Sequence, residues 1–194
     1  DRLGQVGVEL QGLVDGGGMG IRVSGTIRRG MGARDRKKVK DKESLGWVRG
    51  LRITNCILDD VDSMGINLSR VEDFVVSHNR TDKMGEIALL SSQLTNGTIS
   101  HNHFKRAGWH FTTGDNAHIG CYGGKHVVFE HNVIDTTFNR TSGQSLNLDS
   151  TDSYVIQYNY LKDSSAGSFV LNHGAPDNII RYNICEGLTR EDLL

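Results

Sequence analysis

One short phrase recurs along the chain and constrains its fold more than any other feature. The phrase is an aliphatic run, then in most copies a histidine or tyrosine, then an asparagine. Six copies place their asparagines 24, 23, 30, 27 and 24 residues apart, at Asn55, Asn79, Asn102, Asn132, Asn159 and Asn183. A nearly constant period in this range is typical of repeat architectures, in which each repeat is one small structural unit.

A second phrase lies upstream of the later asparagines, with apolar residues at its second and fourth places. Its copies are GINLS from Gly65, EIALL from Glu86, HIGCY from His118, SLNLD from Ser145 and SFVLN from Ser168. This alternation predicts a strand with one buried face. Each repeat is therefore predicted to contain two or three very short strands and no helix. The chain has 24 glycines and one proline, which suits such strands joined by tight turns.

Stacking explains why these phrases repeat. One coil cannot bury its apolar residues alone, whereas coils stacked about 4.8 Å apart can. The predicted inward columns are Ile66, Ile87, Ile119, Leu146 and Phe169, and then Leu68, Leu89, Cys121, Leu148 and Leu171. The asparagines fall at a turn, where stacked amides bond each other and Asn tolerates left-handed backbone. A β-sandwich with asparagines spaced by chance is the competing fold, and six aligned copies disfavour it. The prediction is an all-β parallel solenoid of about six to seven coils with an asparagine ladder.

The asparagine phrase followed by an apolar strand resembles the right-handed parallel β-helix of the pectate-lyase type. The stretch QSLNLDSTDSYVIQYNYLKDSSAGSFVLNHGAPDNIIRYNICEG is closer still to a group of bacterial right-handed β-helix repeat proteins. The resemblance runs roughly from Leu51 to Gly187. It implies a right-handed coil, a secreted or extracytoplasmic location, and a substrate groove along the first strand of each coil. It says less about activity, because the repeat serves stacking.

Length and charge bound the remaining alternatives. We expect one β-helix domain over residues 1–194, and a fragment of a longer chain, since both ends of a β-helix expose strand edges that must be covered. The formal net charge of −1 gives no bias toward nucleic acid, and no apolar run is long enough to insert in a membrane. Residues 28–43 hold eight basic and three acidic residues, which predicts a solvated loop inserted in the first coil or an arm for an acidic polymer.

The three cysteines fall in different coils. Cys56 and Cys185 are five coil steps apart, roughly 24 Å, which is too far for a disulfide. Cys121 is adjacent to neither of them. We therefore expect three free and mostly buried thiols.

The outward positions of the second phrase supply the candidate site residues. In the predicted register the first row is Gly65, Glu86, His118, Ser145 and Ser168; the middle row is Asn67, Ala88, Gly120, Asn147 and Val170; and the last row is Ser69, Leu90, Tyr122, Asp149 and Asn172. Lys125, Asp152 and His173 lie at the turn just beyond. Exposed strand positions are often polar only because they are exposed, so the rows by themselves do not prove a site.

Two clusters emerge from these rows. Tyr122, Asp149 and His173 form the main candidate catalytic set, because a phenol, a carboxylate and an imidazole can perform acid–base chemistry. Glu86 and His118, one coil step apart, are the next candidates. Lys125, Asp152, Asn147 and Asn172 are the predicted substrate-binding residues. The competing explanation for Asp149 is that it caps the turn DSTD.

The mechanism stays open between two reactions. Glycoside hydrolysis usually needs two carboxylates, for which Asp149 and Asp152 are candidates. Lyase chemistry on a uronate needs a base, a proton donor and a cation, and His173, Tyr122 and Lys125 could fill these roles. We predict no cofactor. Ca²⁺ prefers oxygen ligands, but no contiguous loop of such ligands is present. His78, His101 and His131 recur because the turn recurs, and His101, His103 and His110 lack a convincing zinc-ligand spacing.

These observations favour a carbohydrate-active enzyme, a hydrolase or lyase acting on an extended polysaccharide or oligosaccharide. A non-catalytic glycan-binding or surface-attachment module is the alternative, and a structural spacer is the third class. A face dominated by aromatic platforms would favour binding. The predicted face has one aromatic residue, Tyr122, and several titratable groups, which favours catalysis.

Overall fold

The computed structural model describes residues 9–15, 19–24, 46–109, 117–137 and 143–187. In these ranges the chain forms sixteen β-strands and no helix. The strands are β1 Glu9–Asp15, β2 Ile21–Ser24, β3 Val48–Arg49, β4 Arg52–Val61, β5 Ile66–Ser77, β6 Arg80–Met84, β7 Leu89–Ser100, β8 His103–Ala107, β9 Ile119–Glu130, β10 Val133–Thr137, β11 Gln144–Asp149, β12 Val155–Gln157, β13 Tyr160–Ser164, β14 Gly167–Asn172, β15 Ile179–Arg181 and β16 Ile184–Glu186. Accordingly, no helix of the described residues could cross a membrane.

The strands stack in parallel on three sides of a solenoid. The first stack runs through β2, the starts of β5, β7 and β9, and then β11 and β14. The second runs through the start of β4, the later halves of β5, β7 and β9, and then β12 and β15. The third runs through the rest of β4 and then β6, β8, β10, β13 and β16. The first stack contains six strands with five steps between them, close to the predicted six to seven coils.

The core lies inside the solenoid and is built from aliphatic columns. Ile66, Leu89, Ile119 and Leu146 are adjacent in register and fully buried. Leu68 is aligned with Ser91, and Cys121 with Leu148, in the next column. One predicted register is wrong by two residues, because Leu89 rather than Ile87 lies beside Ile66. The sequence concealed this shift, because a serine occupies a core position: buried Ser91 donates its hydroxyl hydrogen bond to the carbonyl of Gly120 (3.3 Å).

The asparagine ladder is present and has five members among the described residues. The Nδ2 of Asn79, Asn102, Asn132 and Asn159 donates at 2.9–3.0 Å to the Oδ1 of the next asparagine, and the series ends at Asn183. The sixth predicted member, Asn55, is wrong by one position. Cys56 occupies the ladder position, where its backbone N–H donates to Asn79 Oδ1 (2.9 Å), and Asn55 is exposed with φ of 56°.

Residues just before the ladder form a second column on the outside of the same turn. His78, His101, His131, Tyr158 and Tyr182 all have positive φ, and their rings stack with centroids 5.0–5.3 Å apart. The histidines thus recur with the turn, as the sequence predicts. None of the three cysteines forms a disulfide: Cys56 and Cys121 are buried, and Cys185 is exposed. The basic segment 28–43 and His110 lie outside the described residues, and the extent of the domain remains a prediction.

Candidate functional site

The main predicted cluster lies on the outward face of the first stack, where each strand ends at a bend. Tyr122 is paired in register with Asp149, and Asp149 with Asn172, as the sequence predicts. The next residue of each coil has positive φ and turns the chain, which places Gly123, Ser150 and His173 in one column at the bend. Side chains from three successive coils therefore meet at this edge.

Both carboxylate oxygens of Asp149 are engaged. His173 Nδ1 lies 3.0 Å from Oδ2, and the Ser150 hydroxyl donates to Oδ1 at 2.8 Å. The Ser150 hydroxyl, and next the His173 imidazole, hold the pKa of the Asp149 carboxyl below its ordinary value. Asp149 is therefore a fixed negative charge that orients the imidazole ring.

The imidazole of His173 is the exposed member of this pair. Its side chain is 78% exposed, whereas that of Asp149 is 20% exposed. Because Nδ1 faces Asp149, Nε2 is the ring nitrogen that can meet a ligand. A carboxylate that holds one nitrogen of a histidine while the other faces a ligand is a common arrangement for proton transfer.

The ring of Tyr122 lies over Gly120, two residues earlier in the same strand β9. A Cβ atom at Gly120 would lie 2.9 Å from Tyr122 Cε2, so only glycine leaves room for the ring in this position. The ring is half-buried and also lies near the site of Leu90, whose Cδ1 would be 3.3 Å from the same Cβ. Gly120 thus fixes how Tyr122 meets the outer face.

A shallow depression of about 580 Å³ adjoins Tyr122. It is lined by Trp47, Arg70, Ser92, Gln93, Thr95, Tyr122, Gly123, Gly124, Lys125, Ser150 and Asp152. Two aromatic rings, two cations and one carboxylate therefore share its wall. The lining residues come from several successive coils, so the depression extends along the solenoid axis.

The predicted substrate-binding residues come together in two places. Lys125 and Asp152 are paired between adjacent coils, and both line the depression. Asn172 Nδ2 donates to Asn147 Oδ1 at 3.3 Å, beside the Asp149–His173 pair. Trp47, Arg70, Gln93 and Ser150 were not predicted. The sequence could have indicated Ser150, because it directly follows the predicted site residue Asp149. Trp47 could not be found in this way, because it precedes the first repeated phrase and belongs to no periodic pattern.

The second predicted cluster does not form as expected. His118 is adjacent to Ala88 rather than Glu86, because of the two-residue register shift. The His118 side chain is completely buried, so its placement on the outer face is wrong. Its Nδ1 lies 2.9 Å from Thr137 Oγ1, and burial lowers its pKa to about 3. Glu86 is half-buried before β7 begins.

Metal ligands do not cluster in the described part of the chain. No three His, Cys, Asp or Glu side chains there form a group that could hold a metal ion. The chemistry visible at the site is that of the imidazole, the carboxylates, the lysine and the phenol.

Comparison with known proteins bears on the fold. The chain is similar to tailspike protein 2 of the Escherichia coli O157:H7 bacteriophage CAB120, with a TM-score of 0.51 and 15% identity. The match covers 64% of this chain but only 18% of the tailspike chain, and at this identity it concerns the fold. No curated protein matches the sequence significantly. A family model described as the right-handed beta helix region matches residues 45–188. The coil is therefore right-handed, and the chain belongs to the right-handed β-helix family.

Proposed function

We propose that this protein is a carbohydrate-active enzyme that cleaves an extended polysaccharide along the first stack. The observation that carries the proposal is the 3.0 Å contact between Asp149 Oδ2 and His173 Nδ1, beside the depression that Tyr122 borders. An oriented imidazole on an open, elongated surface suits proton transfer on a linear polymer better than on a small enclosed molecule.

The roles of the residues follow from their contacts. His173 Nε2 exchanges the proton with the substrate, and Asp149 holds the ring in position through Nδ1. Tyr122 supplies both a ring surface for a sugar and a second proton-carrying group. Lys125 and Asp152 bind polar groups of the neighbouring sugar residues from the wall of the depression.

The products of the reaction separate its two chemical forms. A lyase removes a proton next to a uronate carboxylate and leaves an unsaturated sugar, whereas a hydrolase adds water and leaves a saturated reducing end. The test is incubation of the full-length protein with a panel of neutral and acidic polysaccharides, followed by ultraviolet absorbance and reducing-end assays. Cleavage of one polymer supports the proposal, and bound but uncleaved polymer across the panel contradicts it.

A non-catalytic glycan-binding module is the second candidate, and one observation favours it. Trp47 and Tyr122 both line the depression, and aromatic rings are common contact surfaces for ligands. In that case, Trp47→Ala and Tyr122→Ala weaken polysaccharide binding measured by calorimetry. Asp149→Asn leaves this binding unchanged, and neither the native protein nor the variant releases products.

Two further properties belong to this proposal. Extended polysaccharides are met outside the cytoplasm, so we place the protein in a secreted or extracytoplasmic location. We also propose that cleavage needs no cofactor, which predicts equal activity with and without a chelator. Loss of activity in chelator, restored by Ca²⁺, would contradict it.

A further inference from the structure

Three unpartnered polar atoms lie in one column inside the solenoid. They are His118 Nε2, Ser145 Oγ and Ser168 Oγ, and each is buried without a hydrogen-bond partner among the residues that the structure describes. His118 directly precedes β9, Ser145 is the second residue of β11, and Ser168 is the second residue of β14. The three therefore lie in matching register on successive coils. His118 and Ser145 are fully buried, and Ser168 is 8% exposed.

The corner that contains this column changes character along the solenoid axis. Gly65 and Ala88 occupy the equivalent positions of the earlier coils, where a Cβ at Gly65 would lie 2.9 Å from Met84 Sδ. The same Cβ would lie 2.6 Å from the Ala88 carbonyl oxygen, so backbone and the Met84 thioether close the earlier corner, which carries no polar side chain at these two positions. From His118 onward the column is polar.

The column opposite changes at the same level. In the third stack, one column is apolar in the earlier coils and polar in the later ones. It consists of Val61, Met84 and Ala107, followed in register by Thr137 and Ser164. Thr137 contacts His118 directly, since its Oγ1 is 2.9 Å from Nδ1. Ser164 is satisfied by protein, because its hydroxyl lies 2.6 Å from the carbonyl oxygens of both Gly143 and Gly167. Two facing columns thus turn polar together, which chance substitution of one residue does not explain.

A buried polar atom without a partner costs roughly 1–3 kcal/mol, so native proteins rarely retain several of them together. Neighbouring residues in adjacent coils are about 4.8 Å apart, which is too long for a hydrogen bond but suits one bridging molecule. The bridging molecule must both donate and accept, since a neutral imidazole presents one donor and one acceptor nitrogen and each hydroxyl can do either.

We infer that this corner is an internal hydration site, in which ordered water bridges His118 Nε2 to Ser145 Oγ and Ser145 Oγ to Ser168 Oγ. The site is separate from the proposed polysaccharide face, since its residues point into the solenoid while Tyr122 and Asp149 point out from the same strands. We assign water as the ligand because the side chains described along this column are a neutral imidazole and hydroxyls, with no charged group among them.

A pair of serine variants tests this inference through the sign of their effects. If water satisfies Ser145, Ser145→Ala removes a bonded hydroxyl and the denaturant midpoint falls. If the hydroxyl instead has no water and no hydrogen bond, the same change removes a buried unsatisfied polar group, and the denaturant midpoint rises. Ser91→Ala is the matched control, because the buried Ser91 hydroxyl is already bonded to Gly120 and its loss lowers the midpoint in either case.

A crystal structure of the unmodified protein at high resolution gives the direct readout. The expected result is water density within roughly 2.7–3.2 Å of both His118 Nε2 and Ser145 Oγ. A direct hydrogen bond between these two side chains, or a corner without density, would overturn the inference, as would a raised midpoint for Ser145→Ala.

Discussion

Asn132 Nδ2 donates hydrogen bonds both to Asn159 Oδ1 (3.0 Å) and to the backbone carbonyl of Ile99 (2.9 Å). Asn132 Oδ1 in turn accepts from Asn102 Nδ2 and from the backbone N–H of Asn102. Each ladder asparagine from Asn79 to Asn159 thus connects three coils, and its side-chain donors and acceptor are both used.

Replacing Asn132 by aspartate should be costly although the shape is unchanged. The change removes both donors and places a buried carboxylate against two acceptors, which should cost about 2–5 kcal/mol of unfolding free energy. Asn55→Asp is the matched control, since Asn55 is exposed outside the ladder and should change stability by less than about 0.5 kcal/mol. Urea titration measures the unfolding free energy of both variants. Equal losses would contradict the stabilising role of the asparagine ladder.

Truncating a leucine to alanine should destabilise the fold by different amounts at two positions of the same inward column. Leu148 is fully buried, whereas Leu171, adjacent to it in the same column, is 49% exposed. Leu148→Ala should cost about 2–5 kcal/mol, as for a well-packed buried leucine. Leu171→Ala should cost less than about half as much, because much of its surface already contacts solvent. An unchanged urea midpoint for Leu148→Ala would mean that the inward and outward faces are exchanged.

The buried imidazole of His118 predicts an acid-side loss of stability. Its pKa falls from 6.5 to about 3 on folding, since burial disfavours the charged ring. Between these values the unfolded chain binds a proton that the folded chain does not, so stability is complete above pH 6.5 and declines as pH falls. Between pH 6.5 and 4 this residue should remove about 3 kcal/mol. His118→Asn, which cannot titrate, should lack this part of the pH dependence in urea titrations, and parallel curves for the two proteins would refute the assignment.

The cysteines should differ in reactivity according to burial. Burial raises the pKa of the Cys121 thiol to about 11, and Cys56 is also buried, whereas Cys185 is exposed. A thiol reagent at pH 8 should label one cysteine rapidly in the folded protein and three after denaturation. Cys185→Ser should abolish the rapid phase. Rapid labelling that persists in this variant would contradict the burial of the other two.

The sequence predicts what repeats, and this covers most of the fold. Ladder members from Asn79 onward and columns such as Ile66 to Leu146 were predictable, because each coil meets the same environment. Asn55 was misplaced because the first copy reads Asn-Cys where later copies read His-Asn or Tyr-Asn. The shift at Glu86 was hidden because Ser91 occupies a core position, which polarity alone places outside.

Site residues were predicted correctly where strand register alone determines which side chains are neighbours. They were missed where the position of the side chain depends on packing at a corner or on residues outside the repeats. Tyr122, Asp149 and Asn172 follow from alternation in adjacent strands. His118 was expected outside because alternation ignores the corner, where the chain has not yet entered β9 and the side chain turns inward to Thr137. Trp47 reaches the depression from outside the repeats, so only the folded structure brings it near Tyr122.

Asp149 offers the most direct test of the proposed activity, because turn capping and catalysis respond differently to one isosteric change. Asn at position 149 keeps the size and an oxygen acceptor for Ser150, but it removes the negative charge that faces His173 Nδ1. The measurement is the cleavage rate of the polysaccharide identified by the panel, for the native protein, Asp149→Asn and the neighbouring control Asp152→Asn, with folding verified by urea titration. We predict that Asp149→Asn remains folded and loses activity by a factor of about 10² or more, the usual scale of acid–base catalysis. The control should alter mainly substrate affinity. A folded Asp149→Asn variant that cleaves at the native rate would contradict the account, because Asp149 would then serve only the turn.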